Sequence, residues 1–555
     1  MFWGALAVAL VPFVVSAVAV LVGARGYTSF GDNALTELTV RDVGRHAVEV
    51  GVFNRFGWHH LGPALFYVLA PVYRALGSRS FGLLIGALLL NAAAVVGIAL
   101  VARRCAGIGF GVAALAGATI VSNSLGSVFL RSPWTPNLIV LPFMLVVLLS
   151  WSLAEGDTVA LPWAALVASF VVQLHLAPTP PIVFTLVAGL ALGARRLRSN
   201  DLRDPSAATG RRVLVTAGVL AVMWFPPFMD IVTHSGGNLQ SVVHDFLTRS
   251  PSGTLAGGYR VVARQLAIPP PWLGRNPLPH GDLWYGPAVR HGAIPWIGMA
   301  LVLAVVAAWR AGQHQALRFG AVVAVALVAE IVGISRIAGP LYHWDLTFVP
   351  VTAMLAALAG AYCAWSALPT RTRLAWARPA AGVLLIGALV VPASMLTVTS
   401  SDPTRLQDYD GSLGVSLVER DTLRSLRGAK EPVFVRVLDS SPTGYGNLAA
   451  MVLLLDQHGF HAVVGDAWRS IFPHSSIHTT SAVGAVVTLL SLSGAPRYQP
   501  APGERRVAGN PADKLNTPVG GGRLPPGTPV VFLAPGLPAG DLPPAVMGPG
   551  RRRNG

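Results

Sequence analysis

The chain is short of charge, shorter of lysine and almost free of cysteine. Only 12% of its 555 residues are charged, where a soluble globular protein carries roughly 25%. A soluble chain of this length would divide into about four domains, each needing a solvated surface that this composition does not supply. The two cysteines, Cys105 and Cys363, fall in or beside apolar runs, which argues against a disulfide framework. Lysine occurs only at Lys430 and Lys514, so the basic excess is arginine. No repeat of roughly 20–50 residues is visible, which argues against a solenoid.

What the chain has is apolar length. Hydrophobic residues make up 53% of it, and the mean hydropathy is +0.57. Apolar runs occupy 3–22, 81–101, 108–127, 137–153, 160–176, 180–194, 213–229, 293–309, 318–334, 346–367 and 379–398. Each approaches the ~20 residues that a helix needs to cross the hydrocarbon core. No charged stretch precedes the first run, and ten more follow it, so it reads as a span and only weakly as a cleaved signal. The expectation is an α-helical polytopic membrane protein with about eleven transmembrane helices.

The formal charge of +16 and the isoelectric point near 10.8 raise the question of a nucleic acid partner. The distribution of arginine answers it. Alternate connections hold Arg103 and Arg104, then Arg195, Arg196, Arg198, Arg203, Arg211 and Arg212, then Arg310 and Arg318, then Arg371, Arg373 and Arg378. An alternating eleven-span chain puts all four groups on one side, which the positive-inside rule makes cytoplasmic. The short connection at Glu155–Asp157 is the exception. The N-terminus is then cytoplasmic, and segments 23–80, 230–292 and 399–555 are extracytoplasmic. No nucleic acid partner is expected.

These outer segments differ in kind. Segment 23–80 carries Leu35, Leu38, Val43, Ala47 and Val50 at helix-like spacing. Segment 230–292 is rich in proline and glycine, and its Trp272 and Trp284 suit a membrane–water boundary. Beyond 399, Val433–Val437 reads as a strand, Leu448–His458 as a helix and His461–Val464 as a second strand, an α/β pattern. From Tyr498 the density of proline and glycine predicts a loose tail ending in Arg551, Arg552 and Arg553. The expected divisions are therefore 1–398 for the membrane domain with its outer loops 23–80 and 230–292, 399–497 for a small extracytoplasmic α/β domain, and 498–555 for the tail.

Polar residues gather where the loops leave the outer ends of the spans. The first loop places three carboxylates in eleven residues: Asp32, Glu37 and Asp42. On a helix, Glu37 faces Arg41, and Asp42 reaches Arg45 or His46. Asp32 lacks such a partner and suits either a free base or a helix cap. Arg55-Phe56-Gly57-Trp58-His59-His60-Leu61-Gly62-Pro63 follows, with chemistry for a phosphate and a stacked sugar. His59 and His60 point to opposite sides of an extended segment and make a poor metal site. An interfacial anchor accounts equally well for Trp58. Arg131, Gln173, His175, Asn238, Glu330, Arg336 and His343 stand at further outer ends. Ionisable groups at membrane depth are costly, although His175 and Glu330 also suit helix–helix hydrogen bonds, and Arg131 and Arg336 suit headgroup anchors.

The order of these motifs resembles the GT-C superfamily of polyprenyl-phosphate-sugar-dependent membrane glycosyltransferases, in particular the actinobacterial form of the protein O-mannosyltransferase/aminoarabinose-transferase-like group. The residues that carry the resemblance are Gly31-Asp32-Asn33-Ala34, the 55–63 segment, Gln173-Leu174-His175, Gly237-Asn238-Leu239 and Ser335-Arg336-Ile337, within about residues 1–400. The resemblance implies a GT-C-like fold with an outward-facing cavity. It makes Asp32 the catalytic base, with Glu37 or Asp42 as a second carboxylate. Arg336, then Arg131 or Arg55, would hold the donor lipid phosphate. Trp58, His59, His60, His175, Asn238 and His343 are the candidates for binding sugar or acceptor. Relatives often carry Asp-Glu at the first-loop site where this chain has Asp32-Asn33, which bears on any role for a divalent cation such as Mg or Mn. The implied activity is inverting hexosyl or pentosyl transfer from a polyprenyl-phosphate sugar to a hydroxyl of a cell-envelope glycan or lipid, or of a secreted protein, at the cytoplasmic membrane during cell-wall biogenesis. Two other classes compete. An envelope-lipid transporter or flippase predicts midplane charges and inverted repeats, and neither is present in the sequence. A non-catalytic envelope-assembly subunit would use the C-terminal domain to bind partners.

Overall fold

The computed structural model describes residues 1–23, 27–203, 207–401, 410–439, 441–478, 482–491, 498–509 and 528–536. The Arg551–Arg553 terminus lies outside them, as do the side chains of Arg195, Arg198, Arg203 and Arg378. The chain divides into two compact units. One comprises Met1–Val18 and Ala87–Asp402, and the other Ala19–Gly86 and Pro403–Gly555.

All eleven apolar runs are helical. Among the described residues, seven helices are long and apolar enough to cross a membrane: Phe2–Gly23, Phe81–Leu125, Thr135–Ala154, Thr209–Thr233, His314–Ser335, Val349–Ala367 and Pro379–Ser400. The 45-residue helix Phe81–Leu125 is two of the expected spans, broken where Ala106 leaves helical geometry and Gly107 takes φ +81°. A left-handed backbone of that kind suits glycine. The helices Ala160–Leu174, Thr179–Ala194 and Trp296–Arg310 are apolar but shorter. Large apolar side chains such as Leu214 and Val222 stand 74% exposed on a membrane-length helix. Water would penalise that surface by roughly 25 cal/mol per Å²; lipid does not. The chain is a multi-pass helical membrane protein.

Close approach organises the first unit. Gly189 and Gly193 on helix Thr179–Arg203 lie against the backbone of Ser150 and Leu153, where a Cβ would collide. Small residues permit this separation in bundles that lipid surrounds. At one end of the unit, the acidic connection that interrupted the arginine pattern receives those arginines. Arg318 donates to Glu155 at 2.7 Å and Arg196 to the same oxygen at 3.1 Å, while Arg104 holds Asp157 at 2.6 Å. Three of the four basic connections are thus brought to one end by direct ion pairs.

The second unit is an α/β domain. Among its described residues are five strands, β1 (Val433–Val437), β2 (Ala462–Val463), β3 (Ala485–Ser491), β4 (Arg505–Ala508) and β5 (Pro529–Pro535), in the order β2-β1-β3-β5-β4. β1 pairs parallel with β2 and β3, and β5 antiparallel with β3 and β4. The strand at 433–437 is as expected, whereas the helix expected at Leu448–His458 begins earlier and spans Pro442–Gln457. Ser441 caps it through the Gly444 N–H at 3.1 Å, a turn-forming start that an apolar periodicity does not mark.

Two expectations about organisation are corrected. Residues 498–509 and 528–536 are no loose tail, since they contain β4 and β5. The proline and glycine flanks concealed the run Val530-Val531-Phe532-Leu533, which is buried by pairing with β3. Nor does the first loop group with the spans. Ala34, Leu35 and Leu38 lie in the same hydrophobic core as Val435, Leu448, Met451 and Val487. The reason is amphipathic: helix Asp32–Asp42 has apolar residues to bury, and helix Pro442–Gln457 offers the complementary face.

Glu155 carries two arginines, so its neutral amide analogue tests the basic end of the bundle. Glu155→Gln is expected to lower stability by about 1–3 kcal/mol, read as a reduced thermal midpoint in detergent, with no change in span number by cysteine-accessibility mapping.

Candidate active site

Helix Asp32–Asp42 carries the densest polar chemistry. It follows Gly31 (φ +55°), has an acid in its first turn and Arg41 in its last, as the helix dipole favours. Its three carboxylates have different surroundings. Glu37 is fully buried. It accepts from Ser29 Oγ at 2.6 Å, Tyr73 Oη at 2.8 Å and Gln457 Nε2 at 2.6 Å. Burial nevertheless pushes its carboxyl above the usual value, outweighing the hydrogen bonds from Ser29, Ser80, Tyr73 and Gln457. Asp42 is also buried and accepts from Ser475 Oγ at 2.8 Å; burial raises it too. Asp32 is half-buried at the first turn and accepts from Tyr445 Oη at 3.2 Å.

Glu37 and Arg41 were expected to pair directly. Instead they meet through Tyr73, whose hydroxyl donates to Glu37 and accepts from Arg41 Nη1 at 3.1 Å. Arg41 turns its charge to Asp456, with Nε to Oδ2 at 2.5 Å. The sequence alone did not single out Tyr445, Asp456, Gln457 or Ser475. All four lie in the C-terminal region, and all four tie down this helix. The only signal for the first three is proximity to the apolar helix that starts at Pro442.

The 51–60 segment is a small hairpin. His60 N–H donates to Val52 O at 2.9 Å and Asn54 N–H to Trp58 O at 2.7 Å. Alternation then sends neighbouring side chains to opposite faces. The His59 ring packs on Phe53 at 5.4 Å and the His60 ring on Trp58 at 5.7 Å, so the two histidines do not converge. Trp58 is buried, stacked at 6.0 Å on Phe56, and is no surface anchor. The Arg55 guanidinium lies over the Phe56 ring at 4.8 Å.

The remaining candidates belong to the first unit. Arg131 ends the short helix Ser127–Arg131 and is buried at 2% exposure, with Nη1 3.4 Å from Ser16 Oγ. Packing there removes it from the surface that a headgroup anchor requires. His175 is buried at the end of helix Ala160–Leu174 and accepts from the Ala177 N–H at 3.3 Å, while Gln173 donates to Met223 O at 2.7 Å. Glu330 is buried and accepts from the Thr352 hydroxyl. Asn238 opens helix Gly237–Thr248, its N–H held by Asp230 at 2.6 Å. Trp272 donates to Gln265 O at 3.0 Å and is buried, where a boundary position was expected.

Arg336 and His343 share the loop after helix His314–Ser335. Hydrogen bonds lace this loop to segment 250–292. Gly339 N–H donates to Ser252 Oγ at 2.7 Å, Leu283 N–H to Leu341 O at 2.6 Å, and Asp282 accepts from the N–H groups of Trp284 and Leu341. The His343 ring lies 4.6 Å from His280; burial, then the neighbouring imidazole, pushes His343 below the usual histidine value. Trp344 stacks on Tyr342 at 4.3 Å and meets Trp134 at 6.1 Å. The Arg336 side chain is exposed and has no ion pair or hydrogen bond among the described residues.

The first-loop acids do not fit a shared divalent cation. Asp32 and Glu37 are five residues apart, roughly 140° around a helix. Glu37 and Asp42 both spend oxygens on protein donors.

Glu37 titration provides a test with a definite sign. A raised folded value means that the native state holds its proton more tightly than the unfolded chain. The contribution of Glu37 to stability is therefore fully present below the ordinary value of 4.5 and is lost as pH rises through the folded value. Glu37→Gln is expected to flatten that decline in a plot of thermal midpoint against pH, because the hydroxyls of Ser29 and Tyr73 can turn to accept from an amide.

No family model matches the chain, and no curated protein matches it. Among solved structures it is similar to the crystal structure of ArnT from Cupriavidus metallidurans bound to undecaprenyl phosphate, at 14% identity and a TM-score of 0.46, over 94% of this chain and 97% of that one.

Proposed function

We propose that the protein is a membrane glycosyltransferase. It moves a sugar from a polyprenyl-phosphate donor to a hydroxyl of a cell-envelope glycan or lipid on the outer face of the cytoplasmic membrane. A secreted protein is the less favoured acceptor. One observation carries the reading: of the three first-loop carboxylates, only Asp32 remains partly exposed, and the Tyr445 hydroxyl orients it. Glu37 and Asp42 are buried and hydrogen-bonded, so they support the helix and do not meet a substrate.

The reaction assigns roles to few groups. The acceptor oxygen attacks the anomeric carbon from the face opposite the phosphate, and its proton passes to Asp32 as the new C–O bond forms. The bond between the anomeric carbon and the phosphate oxygen breaks, with its electron pair leaving on the lipid phosphate. Inversion follows from the single displacement. A phosphate is already a competent leaving group, so the protein's task is to stabilise the added charge. Arg336 is assigned that role, because its cation has no protein partner among the described residues, whereas Arg131 is internal. Tyr342, Trp344 and Trp134 offer ring faces beside His343 on which a sugar can stack.

Purified protein in detergent, incubated with a panel of polyprenyl-phosphate sugars and followed by mass spectrometry, tests this. The expected result is consumption of one donor class. Asp32→Asn should lower turnover by about 10²–10⁴-fold, and Arg336→Ala by about 10²–10³-fold, with thermal midpoints unchanged. Near-full turnover by Asp32→Asn would sink the assignment.

A further inference from the structure

The fourth basic connection differs from the other three. Arg104, Arg196 and Arg318 are neutralised at Glu155 and Asp157. Arg371 and Arg373 have no carboxylate partner among the described residues; Arg373 Nη2 reaches only Thr370 Oγ1, at 3.4 Å. The sequence supplies none nearby, since Leu346–Ser401 contains no acidic residue. The connection nevertheless belongs to the same end of the unit. Tyr362 and Cys363, near the close of helix Val349–Ala367, bond to Gln315 and Ala316, three and two residues before the Arg318 that pairs with Glu155.

Directly beside these arginines is an open apolar cavity of about 630 Å³, within the range of roughly 300–1,000 Å³ of small-molecule sites. Trp365 and Leu368 form one wall. Thr372, Trp376, Ala380, Leu384 and Ala388 form the other. Their spacing of four residues sets them as a slowly winding ridge along the helical run Thr370–Ser400, roughly 20 Å long at about 1.5 Å per residue or less. The alanines leave room where larger side chains would close the face. Val383–Val390 is π-helical, and such a wider turn is frequent at functional sites. The long axis, the apolar lining and the membrane-spanning run specify a lipid chain, and the uncompensated arginines at its end specify a phosphate.

We infer that this groove holds one acyl chain of an anionic glycerophospholipid, with the phosphate on Arg371 and Arg373. The site is independent of the proposed transfer reaction. Its Arg–phosphate contact is charge-assisted, and each arginine contributes to anionic-lipid binding near the membrane surface.

Full-length protein is reconstituted in nanodiscs containing equal phosphatidylglycerol and phosphatidylcholine, and retained lipid is counted by native mass spectrometry. One phosphatidylglycerol is expected to remain in preference to phosphatidylcholine. The paired change Arg371→Ala/Arg373→Ala should weaken retention by about thirtyfold, from two arginines. Ala388→Phe, which fills the groove and leaves the arginines in place, should also remove the bound lipid. A brominated-chain phosphatidylglycerol should quench Trp376, read as the difference between wild type and Trp376→Phe, both monodisperse. Equal retention of the two lipids, or an anionic preference that survives Ala388→Phe, would overturn the inference. So would selective retention of polyprenyl phosphate added to the same discs.

Discussion

A carboxyl group buried away from water must be surrounded by donors or lose its charge, and Glu37 shows what that requirement imposes. Its donors come from Ser29 ahead of its helix, Tyr73 and Ser80 beyond it, and Gln457 far along the chain. Each donor is useless unless the segment carrying it is in register. The hydrogen-bond requirement therefore fixes helix Asp32–Asp42 against helix Pro442–Gln457 more closely than apolar packing alone. Arg41–Asp456 locks the same contact further along, and Asp42–Ser475 ties the end of the first helix to the segment beyond the second.

The position of Asp32 follows from that lock. It sits five residues before Glu37 on the same rigid element, and Tyr445 reaches it from the first turn of the opposing helix. For the base role proposed for Asp32, a mobile loop would sample many directions, and positional errors near 1 Å are costly in catalysis. Here two helices bound face to face hold it. The β-sheet supports the second helix, so the strands at the far end of the chain contribute to the geometry of an aspartate near its start.

Apolar length is a property of each segment alone, and the helices that fill the eleven apolar runs were legible from it. The strand at 433–437 and the existence of the following helix were legible for the same reason. Partnerships across the chain were not. Nothing in the residues around Glu37 indicates Gln457, so the nearby Arg41 was the natural choice. Arg131 read as a surface cation because sequence cannot show that packing would enclose it. The last two strands were hidden by composition: prolines at 529 and 535 bracket an apolar run whose short length resembles a loop. Asp32 stood out in the sequence because no oppositely charged residue lies one turn away, and the hydrogen bond it accepts from Tyr445, far along the chain, was not legible there.

The division of the chain also sets a schedule. Helix Asp32–Asp42 is synthesised some 415 positions before the residues that satisfy it. At 5–20 residues per second, a ribosome takes on the order of 20–80 s to close that interval. For that time a helix with an apolar face and an unmet carboxyl waits for partners not yet synthesised. A chain that stops short of helix Pro442–Gln457 lacks the apolar face on which Ala34, Leu35 and Leu38 are buried.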